Sequence, residues 1–354
     1  MKECAASPTS RRAETPGSYC SAVTRHRRAA LVLALVTLAG AALPVAARSP
    51  ATGGETRWTP LTASEIANRA TVPAITPLAP RPFRAAAYTI RTLAWEALPN
   101  NGQSLPRLAT PPGADPDGIP YKVVNGRNYY SPGNIAADGV RFVDAYVRTG
   151  NPAYLDKARV RAKKLEQIAI AKDGALFLPY GFDYPAERLT APWVSAYSQG
   201  FALSLFVRLY RVTGDYRYAE TARPLFLAFR LLGPNRRHWV SYVVAEDLWL
   251  EEYPSARPTH VLNGFNFAVF GIYDYERLTR DPAAAQLLQG ALATMRRRAA
   301  AYRVPGGVSL YDLVHRTRHE HYHEIHIWQL ADLAAISGDA YFSQLSAALY
   351  ADHH

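Results

Sequence analysis

The sequence predicts an all-α protein: an (α/α) toroid of repeated helical hairpins, whole or with fewer than the six hairpins of a full ring, behind an extended proline-rich arm. A turn signature recurs four times, as Thr149-Gly150-Asn151-Pro152, Thr213-Gly214-Asp215-Tyr216, Thr279-Arg280-Asp281-Pro282 and Ser337-Gly338-Asp339-Ala340. The signatures lie about 64, 66 and 58 residues apart, room each time for two helices and a loop. Apolar residues before the turns fall at helical spacing, as in Phe142, Ala145 and Tyr146, or Leu203, Phe206, Val207 and Tyr210.

Taken in order, residues 1–47 predict an export segment. Arg25-His26-Arg27-Arg28 precedes a nearly uncharged run, Ala29 to Ala47, that ends in small residues. This fits a cleaved signal peptide, and the run is also close to the ~20 residues that span a bilayer, so a signal anchor through 29–47 is the alternative. Either way the protein is expected outside the cytoplasm, secreted or membrane-anchored. Both cysteines, Cys4 and Cys20, precede the run, so a chain starting at Arg48 has no thiol for a disulfide, a nucleophile or a metal. That chain keeps a net charge of +7 of the original +11, a balance that suits an anionic polymer.

Residues 48–120 form the arm. Prolines from Pro60 to Pro120 interrupt it repeatedly, with one helix expected over Phe83–Leu98, where Phe83, Ala87, Ile90, Leu93, Ala94 and Leu98 share a face. Residues 121–354 form the toroid. In each turn a glycine or arginine ends one helix, and Asn or Asp caps the next by accepting its free N–H groups. Pro152 and Pro282 stand at a first helical position, where proline sacrifices no hydrogen bond. A toroid places its cleft where the loops converge at the ends of the inner helices.

Those loops hold the unusual residues. Glu251-Glu252-Tyr253-Pro254, Leu310-Tyr311-Asp312-Leu313 and His321-Tyr322-His323-Glu324-Ile325-His326 each set a tyrosine among carboxylates or histidines. A phenol of ordinary pKa about 10 is a poor base at neutral pH, so a site built on tyrosines points to a special task. One is removal of a hydrogen from carbon beside a sugar carboxylate, with a phenol on each face of the ring. The bland alternatives are packed tyrosines, a solvated Glu251, a helix start at Gln199-Gly200 and a turn at Asn263-Gly264. His315, His319, His321, His323 and His326 are dense enough to raise a metal site, but no further carboxylate ligand is clearly spaced, and none is assigned. Trp193, Trp249 and Trp328 are core candidates, at least one of which could line a glycan groove.

Taken together, Ser198-Gln199-Gly200, Glu252-Tyr253-Pro254, Val261-Leu262-Asn263-Gly264-Phe265, Gly271-Ile272-Tyr273-Asp274, Tyr311-Asp312-Leu313, Tyr322-His323 with His326, and Gln329-Leu330 make the chain resemble the D-glucuronyl C5-epimerase family in its C-terminal catalytic domain. The resemblance covers about residues 120 to 350. It implies inversion of glucuronate to iduronate within an acidic polysaccharide, heparosan-like or other, without a cofactor. It implies Tyr253 and Tyr322 as bases on opposite ring faces, Tyr311 in support and Glu252 as a proton relay. Gln199, Asn263, His315, His323, His326, Arg257 and Arg316 would bind substrate, and cations such as His323 and His326 would lower the tyrosine pKa. The implied partners are a glucuronate-containing polysaccharide and a second copy in a homodimer, with no nucleic acid. One departure stands out: where the family places an arginine after Tyr-Asp-Leu, this chain has Val314, followed by His315. A polysaccharide lyase and a non-catalytic glycan binder are the rival readings.

Overall fold

The computed structural model describes residue 61 and residues 72–354. The expected export segment, with Cys4 and Cys20, lies outside the described residues, as does most of the arm before residue 72. Eight α-helices form four hairpins: α1 (Pro132–Thr149) with α2 (Pro152–Ile168), α3 (Ala196–Thr213) with α4 (Tyr216–Arg230), α5 (Leu262–Thr279) with α6 (Pro282–Arg298), and α7 (Glu320–Ser337) with α8 (Ala340–Asp352). The first helices of the hairpins stand in a row, α3 between α1 and α5, and α5 between α3 and α7. No comparable contact returns from α7 to α1 among the described residues, so the four described hairpins do not themselves close a ring.

All four turns use one device. Gly150, Gly214, Arg280 and Gly338 take left-handed conformations, with φ of 71°, 70°, 54° and 75°. Asn151, Asp215, Asp281 and Asp339 then accept the free amides of Ala153, Arg217, Ala283 and Tyr341 at 2.8–3.2 Å. The hydroxyl before each turn supplies a feature the sequence reading missed. Thr149, Thr213, Thr279 and Ser337 donate to the carbonyl four residues back at 2.7–2.8 Å and accept the amide of the capping residue at 3.1–3.2 Å. The recurring Thr-Gly-Asp pattern is thus a self-contained stop and restart.

The inner helices α3 and α5 are buried on nearly every side. They touch backbone to backbone: a Cβ on Gly200 would fall 2.5 Å from both Ala268 Cα and the Phe267 carbonyl, and one on Gly271 would fall 2.2 Å from the Gly200 carbonyl. At their far end the fully buried Arg208 donates to Asp274 at 2.9 Å, to Asn101 Oδ1 at 2.6 Å and to the Pro99 carbonyl at 2.9 Å. Asp144 of α1 accepts from Trp95 Nε1 and from the Gly102 amide. Asp144, Arg208 and Asp274 occupy equivalent places in α1, α3 and α5; the first two bind the arm between Trp95 and Gly102, and Asp274 holds Arg208.

The helix expected over Phe83–Leu98 does not form. This stretch is extended up to a short 3-10 turn, Trp95–Ala97. Tertiary partners override local propensity. Gln289 receives the Tyr88 amide at 3.0 Å and donates to the Tyr88 carbonyl at 2.7 Å, and Gln286 treats Leu78 the same way at 2.8 and 2.9 Å. The Tyr273 hydroxyl accepts the Leu93 amide and donates to the Arg91 carbonyl. Each side chain acts on the arm as a neighbouring strand would.

Three antiparallel hairpins, unforeseen in the sequence, precede inner helices: β1 (Lys122–Val124) with β2 (Arg127–Tyr129), β3 (Ile170–Lys172) with β4 (Ala175–Phe177), and β5 (Ser241–Val244) with β6 (Asp247–Leu250). Strand β6 is buried throughout, and its Asp247 is held by Arg297 and Arg298 of α6. It delivers the chain directly to Glu251, Glu252 and Tyr253.

Candidate active site

Three loops meet at the N-terminal ends of the inner helices. The loop after β6 is fixed by its first residue: the Glu251 amide bonds the Val240 carbonyl, and the Glu251 carbonyl accepts the Ala196 amide at the start of α3, both at 2.8 Å. The Glu251 carboxylate is fully buried, not solvated as its sequence context suggested. It takes His260 Nδ1 at 2.7 Å and the His260 amide at 3.2 Å, closing the loop that carries Glu252 and Tyr253. His260 holds φ of 58° and stacks on Trp249 with ring centroids 4.0 Å apart.

The loop before α7 is organised by Asp312. Its buried carboxylate accepts the amides of Val314 (2.9 Å), His315, Arg316 (3.2 Å) and Thr317 (3.3 Å), together with the Thr317 hydroxyl at 2.7 Å. Backbone bonds from Leu262 to the Tyr311 carbonyl and from Tyr311 to the Thr317 carbonyl then seat Tyr311 beside α5. The third loop, before α3, brings an aromatic wall. Tyr180 and Trp193 exchange backbone bonds and stack at 4.0 Å, while the Tyr180 hydroxyl meets Ser198 at 2.7 Å.

Between these loops the Tyr253 and Tyr311 hydroxyls lie 3.2 Å apart, and Tyr311 donates to Glu252 Oε1 at 3.3 Å. The Tyr322 ring, from the first turn of α7, packs on Tyr311 with centroids 4.6 Å apart. Glu252 lies against Gly264, where a Cβ would come within 2.2 Å of Oε2. Asn263-Gly264 is therefore not a turn. It is the first turn of α5, and its glycine makes room for the carboxylate. The four residues Glu252, Tyr253, Tyr311 and Tyr322 share one cluster.

Burial pushes the Glu252 carboxyl up to about 7, against the pull of the Tyr253 and Tyr311 hydroxyls. Burial, and next the Glu252 charge, lifts the Tyr253 and Tyr311 phenols well above their ordinary range. This corrects the expectation that cations lower the tyrosines. His323 and His326 are fully buried, and burial lowers both, His326 to about 3. His323 accepts the Ser309 amide on Nδ1 at 2.9 Å and meets the Leu349 carbonyl through Nε2 at 3.0 Å, while His326 meets the Ser309 hydroxyl at 2.8 Å. They are neutral struts under the Tyr311 loop and do not face a substrate.

Gln199 is corrected likewise. It is fully buried, accepting from the Leu178 amide and donating to the Leu176 carbonyl, each at 2.9 Å, so it anchors β4. Asn263 is buried, and its carbonyl accepts from Gln329 at 3.0 Å while its Oδ1 is left without a partner. Arg257 and Arg316 are exposed and tied to their loops by backbone amides. Val314 is exposed, and His315 beside it stands 3.9 Å from Glu187. Among the described residues no group of three or more His, Cys, Asp or Glu is arranged to hold a metal ion.

Two acidic-aromatic neighbours escaped the sequence reading. Tyr184 packs on Tyr253 at 5.4 Å, its phenol pushed up to about 12, first by burial. Glu187, also raised by burial, leaves Oε2 buried without a hydrogen bond. Tyr184 and Glu187 repeat the pairing of tyrosine with nearby carboxylate seen in the motifs that were noticed.

The architecture and cluster define a toroid-like protein whose inner-helix ends carry a tyrosine–carboxylate cleft. A family model described as D-glucuronyl C5-epimerase C-terminus matches residues 172–349, half of the chain, and takes in the whole cluster. The chain belongs to the D-glucuronyl C5-epimerase family through that C-terminal region. The D-glucuronyl C5-epimerase of Caenorhabditis elegans is 25% identical over 191 residues, which is 46% of this chain and 30% of that protein. The chain thus spans under a third of that relative's length.

Solved structures resemble the chain loosely. A sugar epimerase from a ruminal bacterium aligns with a TM-score of 0.46 and 14% identity, covering 63% of this chain and 59% of that one. A cellobiose 2-epimerase from Bacillus thermoamylovorans gives 0.47 and 11%, covering 63% and 60%.

Proposed function

We propose that the protein is a uronate C5-epimerase, converting D-glucuronate to L-iduronate residues within an acidic polysaccharide, heparosan-like in its glucuronate content, outside the cytoplasm. The observation that carries the reading is the hydroxyl chain from Tyr253 through Tyr311 to Glu252, at 3.2 and 3.3 Å.

The chain answers the difficulty of a tyrosine base. A phenol raised by burial does not ionise unaided, and a carboxylate raised to about 7 beside it is a stronger base than an ordinary one, which narrows the uphill step of the proton transfer. Tyr253 passes its proton along Tyr311 to Glu252, and its phenolate oxygen takes the hydrogen from C5. The C–H electron pair moves into the adjacent carboxylate as an enediolate. Tyr322 then delivers its hydroxyl proton to the opposite face of C5; to reset, the Tyr322 phenolate takes a proton from solvent and the protonated Glu252 releases one. The enediolate requires donors or cations close to the sugar carboxylate. With valine at 314, we assign that task to the exposed cationic loops that carry Arg257, His315 and Arg316.

Glucuronate-containing polymer incubated with the protein in D2O should acquire deuterium at C5 with new iduronate signals by NMR. Tyr253→Phe and Tyr322→Phe should each abolish inversion, with at least about a hundredfold loss in rate. Unsaturated chain ends in place of iduronate would establish a lyase. Unchanged glycan affinity, with no exchange in the parent protein, would establish a binder.

A further inference from the structure

Beyond the tyrosine cluster the same surface is hollow and basic. A cavity of about 360 Å3 is lined by Arg188, Trp193, Arg237 and Pro254 among others. It lies beside the site: its wall includes Pro254, next in sequence to Tyr253, and Trp193, whose ring lies 6.1 Å from that of Tyr253. A second cavity of about 340 Å3 is lined by Lys172, Asp173, Arg236 and Arg237. Arg237 lines both, so the two are neighbours. Each falls in the ~300–1,000 Å3 range of small-ligand pockets.

The charge of these two cavities is only partly compensated. The first cavity has no carboxylate among its described lining residues. In the second, Asp173 is already bonded by Arg236 at 3.0 Å and faces Lys172 at 3.7 Å. Among the described residues neither Arg188 nor Arg237 has a carboxylate at ion-pair distance, in contrast to Arg84, Arg297, Arg298 and Arg303, each of which is paired. Arg188 is also held in place. It follows the 3-10 turn Pro185–Glu187 in a left-handed conformation, φ 55°, with its amide on the Pro185 carbonyl at 3.0 Å. None of these residues belongs to the hydroxyl chain.

We propose that the two cavities form a track for the polymer beyond the reacting sugar, in which Arg188 and Arg237 receive the carboxylates of neighbouring uronate residues. The inference rests on the functional reading for which sugar reacts, but the track binds an anionic glycan whether or not chemistry follows. It places recognition on cations separate from those that face the enediolate.

The test compares the parent protein with Arg188→Ala/Arg237→Ala and with Arg148→Ala/Arg217→Ala, which removes the same charge at the opposite end of the hairpins. Binding of a glucuronate–N-acetylglucosamine decasaccharide and of the corresponding disaccharide is measured by calorimetry across salt concentrations, and C5 deuterium exchange is followed in parallel. The track variant should bind the decasaccharide roughly tenfold more weakly, with a shallower salt dependence, and show a raised KM at unchanged kcat. The control variant should match the parent, and the disaccharide should not distinguish the proteins. Equal decasaccharide binding by the track variant and the parent overturns the proposal while leaving the exchange activity standing. So does a loss for inorganic polyphosphate as large as for the glycan, since the site would then select charge alone. Salt-sensitive, Arg188/Arg237-dependent glycan binding without exchange upholds the track and removes the epimerase reading. No binding of the glycan by the parent overturns the track.

Discussion

Replacing Glu252 with glutamine tests the electrostatics on which the relay depends. Burial raises this carboxyl from 4.5 to about 7. At about 1.4 kcal/mol per pH unit, the shift amounts to about 3 kcal/mol of stability. The folded pKa lies above the unfolded one, so the favourable term is fully present below about pH 4.5 and is lost as pH rises through about 7. Glutamine stays neutral throughout and loses nothing over that window. Urea denaturation of parent and Glu252→Gln at about pH 4.5, 6 and 8 should therefore show the variant gaining on the parent by about 3 kcal/mol across the range. The same variant should have lost C5 exchange at every pH. A stability difference that is flat with pH, or that moves toward the parent as pH rises, would show that Glu252 ionises as freely as a surface carboxylate. The proton acceptor of the mechanism would then be lost.

Two further substitutions probe the frame. Gly200→Ala adds a methyl 2.5 Å from the backbone of α5, where no side chain can swing away, and should lower stability by about 2–3 kcal/mol in thermal melts; an unchanged Tm would mean that the two helices have room to part. His260→Ala strips the buried Glu251 of its partner at a left-handed position and should cost about 3 kcal/mol by urea denaturation, whereas His260→Asn, which tolerates that backbone and keeps a donor near Nδ1, should recover at least half; equal losses in the two would refute the clasp.

The hairpins were legible because their signals are local. A Thr-Gly-Asp turn carries its own hydrogen-bond partners within four residues of sequence, so Asp215 reads the same in isolation as in the fold. The cluster of Glu252, Tyr253, Tyr311 and Tyr322 was legible through the order of its motifs, although nothing local shows that residues 252 and 311 meet. The arm was misread at Phe83–Leu98 because its apolar spacing suits a helix, while the groups that hold it extended, Tyr273, Gln286 and Gln289, stand some 180 to 208 residues away. His323, His326 and Gln199 were misread for a related reason. Their polarity suggested a substrate, but each satisfies a buried backbone or hydroxyl group that appears only on folding. The tyrosine pKa values went in the opposite direction to that expected, because burial cannot be read from neighbouring letters.

The arm is recognised through its peptide groups. Gln286 and Gln289 each grip one residue's amide and carbonyl together, and Tyr273 bridges two more, so the side chains at Leu78, Tyr88, Arg91 and Leu93 take no part in those bonds. Those bonds are indifferent to the letter at each arm position, much as a belt passes through loops whatever its colour. It follows that the evolutionary record of these bonds should be kept on the helices: substitutions at 273, 286 and 289 would be costly, while at the arm the cost falls on side chains with other tasks, such as Tyr88, which donates to Asp339 at 2.7 Å, and Leu78 and Leu93, which pack on the core.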